Sequence, residues 1–431
     1  MNDNYQAFYW SKLDNVAKLY SLVSSTKATN VFRISVKMTE PIQADYLSEA
    51  VVGALLEMPS FSVRLRMGIF WYYFDMNIQK PRVRKEFTYP CSKMTKYTNN
   101  GYLFNVTYYE NMMHLEVFHA LADGAGALQF LQVLLYQYLK RVYPNSVNQH
   151  LQLMSDQQSQ RAMDEDSFLK VVSDRDGKVI PTTSKAYKIL GIKKRPQELK
   201  VIHGMMPAKQ IVKLSKQYGV SMSCFLSSLL IYSIYMENEK FTKNKRPITV
   251  TIPFDLRARF ESNTVRNFFS NVTVSVNVLE EMSFEDVLKQ VSIQLIEGQD
   301  QQVVTHKIKD NVSAQENLAI RFAPLFIKNT VMRQIYLKAD QGVTTTLSNL
   351  GRIVFLDEIS QYVDQVRVML PVTPHQRIRC GVCSFKETLV VSFTSSLEET
   401  DIQRFFFRFL KDQKVGITIS CNEEINNEIL F

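Results

Sequence analysis

Apolar and polar residues alternate from Phe32 to Met38, with Phe32, Ile34, Val36 and Met38 on one side and Arg33, Ser35 and Lys37 on the other. A period of two predicts a strand with one face against a core. Leu47, Val51, Ala54 and Leu55 then recur at helical spacing before Pro59, so a helix follows. An aromatic strand is expected around Phe70 to Phe74, a turn at Asn99 to Gly101, and strands on either side of Asn111 that run on to Phe118. Beyond Gly124 and Gly126, the residues Leu128, Leu131, Leu134, Leu135, Tyr138 and Leu139 form a helical stripe. The stretch from His114 to Val142 therefore reads strand, tight turn, helix.

Residues 145–200 are polar and irregular, rich in Gln, Asp, Ser and Lys, and are read as a crossover between two halves. The expected division is 1–150, a linker at 151–200, and 201–431. The second half is expected to start helical, with Pro207 opening a helix that Gly219 ends and Ser221 capping another that carries Phe225, Leu226, Leu229, Leu230 and Ile234. Alternation returns at Ile248 to Phe254 and at Val272 to Val278, giving strands with one wet face. Strands are also read at Val343 to Leu347 and Leu389 to Phe393, before a last helix on Ile402, Phe405, Phe406, Phe409 and Leu410. The fold class is α/β.

Composition narrows the function. Of 431 residues, 45% are hydrophobic and 22% charged, the balance of a soluble globular protein. The first twenty residues carry Asp3 and Asp14 with no basic start before an apolar run, and Cys224 to Met236 is too short to cross a bilayer, so a cytoplasmic protein without a transmembrane segment is expected. Five cysteines, an odd number among apolar neighbours, fit reduced thiols. Cys380 and Cys383 have no second ligand pair for zinc, and their odd separation in a strand sends them to opposite faces, so no metal is expected. A net charge of +9 favours anionic partners, yet the densest basic run, Lys193 to Arg195, lacks aromatic interleaving; nucleic acid is not expected.

Candidate chemistry sits at His119-Ala-Leu-Ala-Asp123-Gly124, where a strand ends and a helix begins. An imidazole there can take a proton from an attacking hydroxyl or amine at neutral pH and return it to a leaving thiolate. Asp123 is expected to order the loop by pairing with an arginine, and Gly124 to let the backbone turn closely into the helix. Taken alone, the same residues also fit a packed histidine followed by a helix cap. A dinucleotide-binding turn is not supported, because Gln129 stands where a third glycine is needed and no acidic residue follows until Asp156.

The H-x-x-x-D-G string resembles the signature of the chloramphenicol acetyltransferase-like superfamily of CoA-dependent acyltransferases. Further stretches are similar to that superfamily in the same order. Pro59 to Arg66 resembles the segment whose arginine pairs with the signature aspartate, which makes Arg64 the expected partner of Asp123, with Arg66 second. Asp255-Leu-Arg257-Ala-Arg259 and Asn267-Phe-Phe-Ser-Asn271 are similar to the D-x-R-x-R and Y-F-G-N elements of alcohol acetyltransferases and the BAHD plant enzymes. Ser348-Asn349-Leu350-Gly351 resembles an S-N-x-G element beside the active-site tunnel. Trp10 to Asp14 and Phe70 to Phe74 look like bacterial alcohol acetyltransferase-type proteins. Phe118 stands where condensation domains have a first histidine, and Ser270 replaces the glycine of Y-F-G-N.

The resemblance implies two mixed-sheet subdomains with a tunnel between them and His119 at its centre. It implies acyl-CoA, most simply acetyl-CoA, as co-substrate and a small alcohol as acceptor, with no metal. The catalytic set would be His119 as base, Asp123 ordering its loop, and Ser348 or Asn349 as oxyanion donor, with Gly124, Arg64, Asp255, Arg257 and Asn271 as support. An amine acceptor, or a non-catalytic binding or scaffold protein on the same fold, is the alternative.

Overall fold

The computed structural model describes residues 10–148, 160–171, 185–241, 244–316 and 321–422. Parts of the expected crossover, 151–159 and 172–184, lie outside the described residues.

The first half opens with strand β1 (Trp10–Lys12) and helix α1 (Asn15–Val23), then β2 (Val31–Met38) and α2 (Ala44–Glu57). A hairpin, β3 (Val63–Met67) and β4 (Tyr72–Met76), precedes β5 (Val83–Lys85), β6 (Phe104–Tyr109), β7 (Met112–Phe118) and α3 (Gly124–Val142). Two short helices follow, α4 (Gln160–Asp164) and α5 (Phe168–Val171). The aromatic segment is displaced from its expected place: Phe70 and Trp71 lie in the turn that joins β3 to β4, where Gly68 N–H bonds the Trp71 carbonyl.

The second half begins with a strand, not a helix: β8 (Lys200–Pro207) leads into α6 (Ala208–Gln217) and α7 (Met222–Phe241). Pro207 ends the strand and caps the helix, so both signals fell on one residue. Next come β9 (Ile248–Asp255), α8 (Arg257–Phe260), β10 (Phe269–Val276), α9 (Phe284–Gly298), α10 (Gln301–Glu316) and α11 (Leu325–Asp340). The chain closes with β11 (Thr345–Ile353), α12 (Asp357–Ser360), β12 (Val363–Met369), β13 (Ile378–Phe385), β14 (Thr388–Ser395), α13 (Asp401–Asp412) and β15 (Thr418–Cys421).

Three mixed or antiparallel sheets result, ordered β1-β4-β3, β12-β2-β7-β6-β5 and β10-β9-β11-β13-β14-β8-β15. The five-stranded sheet is covered by α2 and α3, which bury Val51, Ala54, Phe130, Leu131 and Leu134 in the first core. The seven-stranded sheet packs on α7, α9 and α13 through Phe225, Leu229, Val287 and Phe406 in the second. Each of these side chains larger than Ala54, fully withdrawn from water, contributes about 1.5–3 kcal/mol.

Two features of topology position the site. First, β12 comes from the second half of the chain yet pairs with β2, so the five-stranded sheet is finished by residues 363–369. β13 crosses it so closely that a Cβ at Gly381 would run into the Val368 carbonyl oxygen. Second, β11 pairs with β9 only at Thr345 and Thr346, then stays with β13 from Leu347 onward. Past that point β9 and β11 diverge. The turn between β7 and α3 wedges there: Asp123 reaches Arg257, just beyond β9, and Gly124 lies against Leu350 of β11.

Candidate active site

His119 is the first residue beyond β7, half-buried, with its backbone N–H bonded to the Asn30 carbonyl at 2.8 Å. Its ring lies among Tyr20, Phe32 and Phe269, at centroid distances of 4.6, 5.1 and 5.4 Å. Its Nδ1 is 2.9 Å from Asn267 Oδ1. Burial pushes the imidazole below its ordinary pKa, partly offset by Asp123 and the Asn267 bond, so the ring is neutral at pH 7.

The tautomer follows from Asn267. Its backbone N–H and its Nδ2 both point at Asp14 Oδ2, at 3.2 and 3.0 Å, while Asp14 Oδ1 caps α1 through Ala17 N–H at 2.7 Å. Burial raises the Asp14 pKa, but a backbone N–H already donates to each of its oxygens, so both act as acceptors; the NH₂ of Asn267 must therefore face Asp14 and its oxygen must face His119. Nδ1 of His119 therefore carries the proton. Nε2 keeps its lone pair, which is the arrangement a general base needs.

Asp123 is not a relay. Oδ1 accepts from Gly126 N–H at 3.0 Å and Arg257 Nη2 at 2.9 Å; Oδ2 accepts from Arg257 Nη1 at 2.9 Å and Phe268 N–H at 2.8 Å. With four donors in place, the carboxylate is saturated and holds the 264–268 loop against the start of α3. Arg257 also spends Nε on the Thr264 carbonyl, Nη2 on Arg266 and Nη1 on Asp255, so all five of its N–H groups are used. Burial opposes its charge, but Asp123 and Asp255 more than compensate and raise its pKa.

The expected Arg64–Asp123 pair is therefore corrected to Arg257–Asp123. Arg64 lies directly across from Asp75 in the β3–β4 hairpin and bonds it at 2.8 Å, with Arg66 on the same oxygen at 3.1 Å. The cross-strand carboxylate is simply the nearer one. Asn271 is also displaced from its expected role: its side chain is on the exposed face of β10 and makes no hydrogen bond among the described residues. Asn267, at the other end of the same motif, does the supporting, and Asp14 behind it was not singled out from sequence. Both lay within quoted stretches, and the missing signal was an acceptor-only residue buried at a helix cap.

Glycine is needed at 124 and 126 because of close approach. A Cβ at Gly124 would lie 2.6 Å from Leu350 Cδ2, and one at Gly126 would strike the backbone carbonyl of Val265.

Ser348 and Asn349 point to opposite sides of β11. Asn349 faces α7, where its Nδ2 bonds Ser223 Oγ at 3.0 Å and its Oδ1 accepts from Gly351 N–H at 2.8 Å. Ser348 shares its face with Leu350, which packs on the first core and on Gly124. No hydrogen bond occupies the Ser348 hydroxyl among the described residues. Cys380 and Cys383 are buried in the second and first cores respectively, and burial raises both thiol pKa values, that of Cys383 to about 12.

Where β11 and β13 end, they and α6 enclose a cavity of about 730 Å³. Lys209, Lys213, Lys216, Arg352 and Lys386 line it against a single acid, Glu387, which pairs with Lys209 at 2.8 Å. Sequence reading had not located this pocket, because its cations come from three separate segments.

No family model matches the sequence, and no curated protein is similar to it. Solved structures are similar in fold. F. graminearum TRI101, complexed with coenzyme A and T-2 mycotoxin, superposes with a TM-score of 0.65 at 11% identity, over 95% of this chain and 99% of that one. The wax ester synthase/diacylglycerol acyltransferase of Marinobacter aquaeolei VT8 gives 0.55 at 10% identity, over 94% and 99%. The TRI3 trichothecene 15-O-acetyltransferase of Fusarium sporotrichioides gives 0.58 at 9% identity, over 93% of each chain. The fold is thus the chloramphenicol acetyltransferase-like one that the sequence motifs implied.

Proposed function

We propose that the protein transfers an acyl group from a CoA thioester to an acceptor hydroxyl, with His119 as general base. The observation that carries this reading is the Asp14–Asn267–His119 chain, which leaves a proton-free Nε2 on a neutral imidazole at the junction of the two sheets. Two of the similar structures support it, one being a complex with coenzyme A and the other an O-acetyltransferase.

In the proposed reaction Nε2 takes the hydroxyl proton as the acceptor oxygen bonds to the thioester carbon. The carbonyl oxygen becomes an oxyanion and accepts from the Ser348 hydroxyl, a fixed neutral donor. Asn349, with both amide atoms engaged, shapes the strand. The C–S bond then breaks, the electron pair leaves on sulfur, and His119 returns its proton to the thiolate. General base catalysis of this kind is worth about 10²–10⁴-fold, and holding both reactants against one ring makes the attack effectively intramolecular.

Coenzyme A brings phosphates, and the basic cavity is where the chain offers several cations to meet them. Ser348 and Arg352 are four residues apart on β11, at most roughly 13 Å and less across the bulge between Asn349 and Arg352, a distance an extended pantetheine arm can cover. Five unpaired thiols among the described residues fit a reducing, cytoplasmic setting. Acetyl-CoA is the simplest donor and an alcohol the favoured acceptor.

The test is acceptor-dependent release of CoA thiol from acetyl-CoA and longer acyl-CoAs, with the ester product identified by mass. Wild type should turn over and a folded His119→Ala variant should not. Equal release by both proteins would remove His119 from the mechanism.

A further inference from the structure

The face opposite the basic cavity is apolar and exposed. Ile69 and Phe70 at the tip of the β3–β4 hairpin, Phe322 just ahead of α11 and Phe326 in its first turn are 78, 40, 59 and 72% exposed. They are joined: Leu325 N–H bonds the Ile69 carbonyl, Lys328 Nζ bonds that of Phe70, and the Phe70 and Phe322 rings meet edge to face at 6.1 Å. Along α11 the stripe continues as Ile327, Val331 and Ile335, one per turn and all exposed. Isolated apolar residues on a surface need no explanation, but a contiguous set on a hairpin tip and a helix marks an interaction site.

The charge around it says which kind. The stretches 10–12, 63–76 and 321–339 contain seven Lys or Arg and one acid, Asp75, which Arg64 and Arg66 already hold; Lys328 is buried over Trp71, which leaves Lys12, Arg321, Arg333 and Lys338 as the cations not already paired. Apolar side chains rimmed by cations, without acids, complement an anionic bilayer surface, where the apolar groups enter the headgroup boundary and the cations meet lipid phosphates.

The same face leads to the reaction centre. Between α1 and α11 lie crevices of about 450 and 270 Å³; the smaller is lined by Tyr336 and His375. The Tyr336 hydroxyl bonds Asn30 Oδ1 at 3.4 Å, and Asn30 in turn holds the His119 backbone. α11 runs into the start of β11, whereas the basic cavity is at its end, so the two openings lie at opposite ends of one strand.

We propose that the hairpin tip and α11 seat this protein on an anionic lipid surface, so that its acceptor is an amphipathic alcohol taken from that surface. The acceptor clause rests on the acyltransferase reading; the docking clause does not.

Co-sedimentation of the full chain with phosphatidylcholine vesicles, with and without phosphatidylglycerol, tests docking directly. Binding should require the anionic lipid, weaken by about fivefold for each cation removed, as in Arg321→Gln or Lys338→Gln, and weaken further in the Ile69→Ser/Phe326→Ser double variant. These side chains are exposed, so circular dichroism and turnover of a short soluble alcohol should be unchanged. Binding that ignores anionic lipid or these substitutions overturns the docking proposal, as does light scattering that shows the face instead joining two copies of the chain. If docking holds, a long-chain alcohol in anionic vesicles should be acylated at least tenfold faster by wild type than by the double variant; equal rates overturn the acceptor clause. Vesicle binding without any thioester turnover would sink the acyltransferase reading and leave docking standing.

Discussion

Asp14 takes two hydrogen bonds from Asn267 on a single carboxylate oxygen, one from the backbone and one from the side-chain amide. Because that oxygen cannot donate, it sets which way the amide points, and the amide sets which nitrogen of His119 carries the proton. Asp14→Asn would put an NH₂ or a poorer acceptor there, free the Asn267 amide to turn, and move the proton to Nε2. The expected result is a fall in kcat on the order of 10²-fold or more with KM for acyl-CoA little changed. A loss of folding alone would lower both the far-UV signal and CoA binding, so binding measured beside kcat separates the cases.

The neutral imidazole has a pH signature. Burial lowers the His119 pKa, so the base stays unprotonated to more acidic pH than a free histidine. The acid limb of kcat/KM should therefore have its midpoint below about 6.5, with activity lost as pH falls through the folded pKa. A midpoint at or above the free value contradicts the buried, Asn267-tethered geometry.

Arg257 and Arg64 should separate in a stability measurement. The Arg257–Asp123 pair is nearly withdrawn from solvent, with side-chain exposures of 10 and 7%, whereas Arg64 and Asp75 are at 33 and 30%. Removing Arg257 leaves a buried carboxylate without its counter-charge and two carbonyls without their donors, so Arg257→Ala should cost about 3–5 kcal/mol. Arg64→Ala should cost about 0–1 kcal/mol, since an exposed pair is screened and gains little. Urea unfolding of the two variants decides; the opposite order would restore the sequence-based partner.

That reversal illustrates what one sequence can and cannot show. Strand, turn and helix from His114 to Val142 were legible because α3 repeats its apolar residues at helical spacing right after a glycine-flanked turn, even though β7 is buried on both faces. His119 was legible because the turn fixes its place. Partners were not. Arg257 and Asn267 lie 134 and 148 residues from Asp123 and His119, and no periodicity encodes such contacts. β12 escaped notice for a similar reason: its pairing with β2 joins the end of the chain to its beginning. The two glycines could be placed in the turn, but which one is crowded by backbone depends on the 262–268 loop.

Gly126→Ala tests that crowding. The added methyl would meet the Val265 backbone carbonyl, which cannot rotate away, and would push on the loop that carries Asn267. A cost of about 1–3 kcal/mol is expected, together with reduced kcat because the His119 tether shifts. At Gly124 the obstacle is the end of the Leu350 side chain, which can change rotamer, so Gly124→Ala should be milder on both counts. Thermal melts and thiol-release rates on the two variants give the comparison.

The basic cavity makes a prediction about binding alone. Lys213 and Lys216 of α6 line it with Arg352 and Lys386, distant in sequence from the base that does the chemistry. Their attraction for the phosphates of CoA is the same before and during acyl transfer, because those phosphates do not change charge as the thioester reacts. Uniform binding of this kind appears in KM and leaves kcat untouched. Lys213→Glu/Lys216→Glu should therefore raise KM for acyl-CoA by about tenfold or more while kcat holds. The wild-type KM should also climb with salt, since exposed charges are screened over roughly 8 Å at physiological ionic strength. Acyl-pantetheine, which has no nucleotide phosphates, should be used equally by wild type and variant. If the variant loses acyl-pantetheine activity as well, the cavity shapes the reaction centre and the phosphates sit elsewhere.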